Sequence, residues 1–447
     1  MNSEQGEVID EIITKIRAGR MTRRTFLERA VAAGLSSSAA ASLLAACGGT
    51  SNTTGGNGQT VNVNYIEKDT NGVYAGLVKT FNAQNNGVHV TYNSNAPNDT
   101  GQLLTILTTM LRARGSSIDV FPMDIIWPAE FGANGWTVPL DDKWPASDRA
   151  NYLPGPLAGC TYNGKLWAAP TRTDAGLIYY RTDIIKTAPT TWDDLTSMAK
   201  ASAPSKVKFG YVWQGAQYEG LVCDFVEVLY GYGGNVLDPN DPKKITVNGP
   251  EGLQALTQMA GWVGTISPAA VTTYKEEDSR SAWQDGDAAF MRNWPYAYAL
   301  GNDTSTSKIA GKFDVHPMLY GGSNTVGHSN IGGWQYGINA FSKNPDAAWK
   351  FVQFMISPPS QKTIAVKLSL FATLKSIYTD PDVLKVAPFF SKMQPVFQTA
   401  LPRPVSPFYP DISNAIQLRV HNALTKQTSP TAALSALQSD LQAIVNR

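Results

Sequence analysis

"GSSIDVFPMDIIW", residues 115–127, decides the fold. Small residues stop whatever precedes, and the apolar run that follows reads as a buried strand. Asp124 and Trp127 come directly after it, where that strand ends. Ligands of open α/β sheets bind beyond the carboxyl ends of strands, so both are candidate site residues. Working outward, Leu103, Leu104, Leu107, Met110 and Leu111 share one face of a helix over 99–114. "VNVNYI" (61–66) alternates like a first strand. "CTYNGKLWAAP" (160–170) reads as a hairpin, with Asn163-Gly164 suited to a type I′ turn. "TRTDAGLIYY" (171–180) leads into a further strand. Helices are predicted after Thr191 as N-cap with Asp194 three residues on, at Asn344-Pro345, and at Ser429-Pro430 with Leu434, Leu437 and Leu441 on its face. Strands alternating with helices predict an α/β fold, with no internal repeat.

Composition narrows the function. The 447 residues suffice for two domains, and 43% hydrophobic with 16% charged residues describes a globular chain. Thirty-seven basic against 36 acidic residues leave +1, with no basic stripe, which argues against a nucleic-acid partner. Eleven tryptophans suit surfaces that are apolar yet need a polar handle. Cys47, Cys160 and Cys223 form no C-x-x-C pair, and the four histidines lie near no cysteine, so no metal site is expected. Cys160 and Cys223 are expected as two separate buried thiols, with a disulfide between them as the alternative.

"MTRRTFLERAVAAGLSSSAAASLLAACGG" (21–49) is the sharpest local signal. Arg23-Arg24 before Phe26-Leu27 is a twin-arginine export pattern. The apolar segment 30–46 is too short and too polar for a stable membrane span. It ends in Leu44-Ala45-Ala46-Cys47, which resembles a bacterial lipobox whose Cys47 thiol accepts the lipid. Residues 1–46 thus read as a signal peptide and 47–58 as a flexible tether. Translation from Met21 is an alternative start. Six basic and five acidic residues precede Cys47, leaving 31 of each, so long-range charge would not draw in a ligand.

No G-x-G-x-x-G, P-loop, G-x-S-x-G or H-E-x-x-H occurs, and no catalytic residue or cofactor is expected. Carboxylates, aromatics, glycines and one arginine near strand ends remain. Taken singly, each has a bland alternative. Asp124 and Asp174 could cap turns, Gly332-Gly333-Trp334 could be a bulge, and Pro402-Arg403-Pro404 a stiff turn. "FMRNWPYAY" (290–298) interleaves polar and aromatic groups too tightly for an ordinary core strand. Together they suit carbohydrate. Sugar rings stack apolar faces on Trp and Tyr, and vicinal hydroxyls match the oxygens of a carboxylate and the fork of an arginine.

"VWQGAQYEGLVCDFVE", "AAFMRNWPYAYAL", "DVFPMDIIWPAEFGANGW", "TDAGLIYYRTDII" and "ALPRPVSPFYPDIS" closely resemble the trehalose/maltose-binding lipoproteins of ABC sugar importers, among the extracellular solute-binding proteins. The resemblance runs from about Val61 to the last helix. It implies a two-lobed periplasmic-binding-protein-like fold with an interlobe ligand cleft and hinge crossings. Lobe 1 would hold 59–170 and 316–370, and lobe 2 would hold 171–315 and 371–447. Asp124 and Asp174 match aspartates that accept sugar hydroxyls, Trp294 and Tyr296 aromatic walls, Gly333 a backbone donor, Trp334 a stacking ring and Arg403 a hydroxyl donor. Glu219 is a further candidate at a helix start. Two positions depart from the pattern. In "EKDTNGVY" (67–74), Thr70 or Asn71 falls where a glutamate often stands, and Arg172 falls where a tyrosine often stands. An extra cation at Arg172 would donate to sugar oxygens or pair with Asp174. The implied function is delivery of trehalose or a related disaccharide, such as maltose or sucrose, to ABC permease subunits. The protein would be anchored to the membrane through Cys47 and act as a monomer. A glycoside hydrolase with two carboxylates, or a sugar sensor on the same fold, are the alternatives.

Overall fold

The computed structural model describes residues 60–447, apart from 70, 98 and 240, together with residue 25. The lipobox, the tether and all of the export motif but Thr25 therefore lie outside the described residues. In chain order the strands are β1 (Val61–Ile66), β2 (Val88–Asn93), β3 (Val120–Asp124), β4 (Thr161–Tyr162), β5 (Lys165–Leu166), β6 (Ala169–Ala175) and β7 (Leu177–Arg181). There follow β8 (Phe209–Val212), β9 (Leu237–Asp238), β10 (Asp241–Ile245), β11 (Ala288–Asn293), β12 (Phe313–His316), β13 (Ile331–Ile338) and β14 (Phe371–Ala372). The larger sheet has the order β14-β6-β13-β3-β1-β2, and a second sheet the order β12-β7-β11-β8.

Two compact units form. Among the described residues, the first comprises those up to Pro122, Gly132–Lys143 and Tyr336–Met355. There β1 pairs in parallel with β2 and β3, as strands joined by helical crossovers do. The crossovers are the helices Val73–Ala83 and Thr100–Arg112, and Asp99 caps the second by accepting from the Gln102 N–H. Leu103, Leu107, Met110 and Leu111 are buried, as their spacing predicts. Tyr65 anchors this core, stacked on Tyr92 with Tyr336 and Phe351 edge-on.

The second unit comprises Met123–Phe131, Trp144–Gln335 and Ile356–Arg447. Its four-stranded sheet mixes directions: β11 runs parallel to β8 and antiparallel to β7, and β7 is antiparallel to β12. The helix Glu219–Gly231 is buried at every position from Gly220 onward, so it packs on all sides and not along a single stripe. The caps stand where the sequence puts them. Thr191 and Asp194 form a capping box, and Ser429 accepts from the Ala432 N–H. Asn163 and Gly164 have φ of 48° and 71°, the positive pair a type I′ hairpin turn requires. Trp192, Trp213 and Trp283 are fully buried, with Trp262 beside the first two, so many tryptophans build core instead of surface.

One local expectation is sharpened and another changes. "TRTDAGLIYY" leads into a strand, β7, as expected, and it divides at Gly176 between β6 in the larger sheet and β7 in the smaller. A Cβ at Gly176 would lie 1.9 Å from Glu227 Oε1, so the junction tolerates no side chain. And β11, the first part of "FMRNWPYAY", is an ordinary core strand after all, buried throughout. Its polar residues are tolerated because each is hydrogen-bonded inside the protein: Arg292 to Glu227, and Asn293 to the Glu276 carbonyl.

Candidate functional site

Asp124, Trp127, Arg172, Asp174, Glu219, Trp294, Tyr296, Gly333, Trp334 and Arg403 all fall in the second unit. Asp124 is the last residue of β3. The turn carrying Arg403 is delivered to it by main-chain bonds: Leu401 N–H donates to the Ser329 carbonyl, and Ile331 N–H to the Leu401 carbonyl, each at 2.9 Å. The Arg403 guanidinium then bridges two carboxylates. Nη2 donates to Asp124 Oδ1 at 3.1 Å and Nη1 to Glu219 Oε1 at 2.5 Å. Glu219 opens the helix Glu219–Gly231, where the helix dipole favours an acid. It also accepts from the Tyr409 hydroxyl at 2.5 Å and from the Ser413 hydroxyl. Arg403 is 4% exposed, and its Nε is buried with no partner. Burial pushes the Asp124 carboxyl above its ordinary range, with Arg403 pulling the other way and Glu219 adding to the rise.

On β6, Arg172 and Asp174 are two apart and share a face of the strand. Arg172 lies over the Trp334 ring, 5.3 Å from its centroid. Trp334 meets Trp127 edge-on at 5.9 Å, and Trp127 stacks on Phe131. Trp127 is 1% exposed, so it backs Trp334 from within. Gly333 has φ of 128°, and a Cβ there would lie 2.5 Å from the Arg172 carbonyl oxygen, so strand approach and backbone angle both demand glycine. Its carbonyl accepts from the Ile125 N–H at 3.1 Å. Asp174 Oδ1 is buried and has no partner. Burial raises the Asp174 carboxyl to about 6; Asp124 adds to the rise, and Arg172 and Arg292 oppose it.

Trp294 and Tyr296 follow β11 and are both held by the helix Glu276–Gln284. Trp294 Nε1 donates to Glu276 Oε1 at 3.3 Å, and the Tyr296 hydroxyl to Glu277 Oε1 at 2.7 Å. A Cβ on Gly332 would come within 3.0 Å of Trp294 Cζ3 and 3.2 Å of Asp174 Cβ, so this glycine brings the ring and the carboxylate together. Sequence reasoning missed Glu276, Glu277 and Arg292. Acids in a helix's first turn are read as dipole partners, and only the fold shows that these two hold aromatic rings. In the first unit, Asn71 is exposed and Thr70 lies outside the described residues. A glutamate does follow β1: Glu67 is buried, accepting from the Lys68 N–H and the Tyr336 hydroxyl.

Three carboxylates, two guanidiniums and part-exposed aromatics make a surface that can hold a flat polyol. His316, His328 and His421 bind backbone carbonyls and none of the candidate residues. Cys160 and Cys223 are separate and buried, and burial pushes both thiols well up, which keeps them unreactive. Among the described residues there is no group of three His, Cys, Asp or Glu that could hold a metal, and no helix long and apolar enough to cross a membrane.

Comparison with known proteins gives the family and the fold. Residues 67–362 match the bacterial extracellular solute-binding protein family. A probable ABC transporter-binding protein of Deinococcus radiodurans is 40% identical over 365 residues, covering 78% of this chain and 86% of that one. Among solved structures, the maltose-bound MalE3 of T. maritima aligns with a TM-score of 0.80 at 36% identity, over 85% of this chain and 99% of its own. A ribitol-bound solute-binding protein of Agrobacterium radiobacter K84 aligns at 0.76 and 26% identity, over 86% and 99%. The fold is the α/β fold of these two-lobed, MalE-like binding proteins.

Proposed function

Since the chain belongs to the bacterial extracellular solute-binding protein family, we propose that it is the substrate-binding component of an ABC importer. Its ligand is trehalose or a related disaccharide such as maltose or sucrose. The observation that carries this reading is unused hydrogen-bonding capacity at the end of β3. Arg403 Nε and Asp174 Oδ1 are buried without partners, Asp174 and Trp294 meet across Gly332, and Trp294 and Trp334 are both part-exposed. An unpaired buried polar atom is costly. Vicinal hydroxyls both donate and accept, so sugar hydroxyls could pair with such atoms while an apolar ring face stacks on indole. The maltose and ribitol held by the two similar structures support a polyol ligand.

The working bodies are the lobes 59–170 with 316–370 and 171–315 with 371–447, closing on sugar held between them. Cys47 carries the lipid, the tether 47–58 leaves the body free beside the membrane, and the monomer hands its sugar to permease subunits. Binding is tested by calorimetric titration against trehalose, maltose, sucrose, maltotriose and ribitol. Silence across that panel would sink the carbohydrate reading. A fall in radius of gyration by small-angle scattering on adding saturating sugar is expected from closure. Radioactive palmitate should label the wild type and not Cys47→Ala. A hydrolase remains the second reading, because a carboxyl near pH 6 beside another carboxylate is a general-acid arrangement. Glucose released from trehalose in proportion to pure protein would favour it; unchanged sugar is expected.

A further inference from the structure

Trp294 is held on three sides. Its ring nitrogen is tied to Glu276 and one edge lies against Gly332. The guanidinium of Arg292 covers the ring, with Cζ 4.0 Å from the centroid. The main chain is fixed as well: the Tyr179 hydroxyl donates to the Trp294 carbonyl at 2.7 Å, and the Trp294 N–H donates to Asn293 Oδ1 at 2.8 Å. Arg292 has no freedom of its own. It is 1% exposed; Nε and Nη2 donate to the two Glu227 oxygens at 2.8 Å each, and Nη1 donates to Gln214 Oε1 at 3.1 Å. Asp224 Oδ1 lies 3.1 Å from Nε. Glu227 is fixed in turn by the Asn330 N–H at 3.1 Å and by the close approach of Gly176. So a rigid, planar, fully buried cation lies under an aromatic ring that still reaches solvent.

We propose that Arg292 is a positioning residue for ligand binding: forked onto Glu227, it fixes the plane of the Trp294 indole and leaves the other face to receive a sugar ring. This rests on the carbohydrate reading for the ligand, but not for the positioning itself. A ring fixed beforehand loses no rotamer freedom on stacking, which raises affinity without a new contact. A desolvated cation–π contact is strong enough to hold it. A lysine could not substitute, because an ammonium keeps the charge but neither forks both carboxylate oxygens nor lies flat on a ring.

The test is a double-mutant cycle of Arg292→Lys with Trp294→Ala, read by calorimetric titration with the sugar that binds wild type. Arg292→Lys alone should weaken binding by about tenfold. In the Trp294→Ala background it should change affinity by less than about twofold, because the ring it acts through is gone. Equal losses in both backgrounds would overturn the proposal. A ligand-free readout separates this from the proposed function. The near-ultraviolet circular dichroism assigned to Trp294, wild type minus Trp294→Ala, should shrink in Arg292→Lys. An unchanged band overturns the positioning role even if no sugar binds, and a shrunken band supports it even then. Should Arg292→Lys not fold, Glu276→Leu removes the ring-nitrogen acceptor, together with the acceptor of the Tyr218 hydroxyl, and leaves Arg292, Glu227 and Gln214 themselves in place. Its smaller affinity loss should likewise vanish without Trp294, and an additive loss would overturn the proposal.

Discussion

Two buried arginines reach the same helix, Glu219–Gly231, and meet it differently. Each guanidinium nitrogen of Arg292 has a partner inside the protein: Nε and Nη2 donate to Glu227 and Nη1 to Gln214, and Asp224 lies beside it. Arg403 is as deeply buried, yet its Nε has no partner, and its carboxylates Asp124 and Glu219 keep 11% and 17% of their side chains exposed. Burial and charge therefore do not separate scaffold from site. What differs is where the unpaired atom lies: on the arginine itself at Arg403 Nε, but on the flanking carboxylate, Asp224 Oδ1, beside Arg292.

Substitutions at these positions can break that contrast. The largest effect is expected from Arg292→Met. It strands Glu227 in the core, although burial already pushes the neighbouring Asp224 carboxyl well up. Breaking such a pair costs about 3–5 kcal/mol of folding, so thermal melting should show a large fall. A melting temperature near wild type would mean the cluster is not the scaffold that the pairing of Arg292 implies. Next comes Trp294→Ala. Removing a buried aromatic anchor costs at least about 2 kcal/mol of binding, roughly thirtyfold, measured by titration. Intact affinity with a collapsed melting temperature would assign Trp294 to the core. Arg403→Met should weaken binding by about tenfold or more, as loss of a charge-assisted donor does, and should lower stability less than Arg292→Met. If the order of stability losses were reversed, the contrast between the two arginines would fail.

Much of this was legible in the sequence, and the rest fails for a common reason. The strand ending at Asp124, the Thr191 and Ser429 caps and the Asn163-Gly164 turn are local, set by neighbours within a few residues. The long motifs carry the family, which matches over residues 67–362. The division at Gly176 was not legible, because what forbids a side chain there is Glu227, a residue on a distant helix. Arg292 stood in plain view in "FMRNWPYAY", but its partners lie 65 and 78 residues away. Trp127 follows the β3 strand end as site residues do, and yet Phe131 and Trp334 enclose it. Sequence patterns report which residues could bind; only packing reports which still have an atom to offer.

The smallest expected effect concerns Asp174, which combines an unpaired oxygen with a carboxyl raised to about 6. Arg172 and Arg292 favour its charge; burial and Asp124 oppose it, and the nearby Tyr179 and Tyr378 are held neutral by their own burial. A raised folded-state value means that the folded protein favours the proton. In the ligand-free protein, Asp174 therefore contributes stability below its unfolded value of about 3.8, and that contribution is lost as pH rises through about 6. Ligand should reverse the preference. Sugar hydroxyls donating to Oδ1 favour the charged carboxylate, so binding expels the proton and affinity should rise with pH up to about 6, then level off. One pH unit below that point should cost about tenfold in affinity. Titration with sugar at pH 5, 6, 7 and 8 checks the curve, and Asp174→Asn should bind weakly but flatten it. A wild-type affinity already level from pH 5 would show that Asp174 is paired or ionised in solution. It would then belong with the cluster around Arg292 and not with the open one around Arg403.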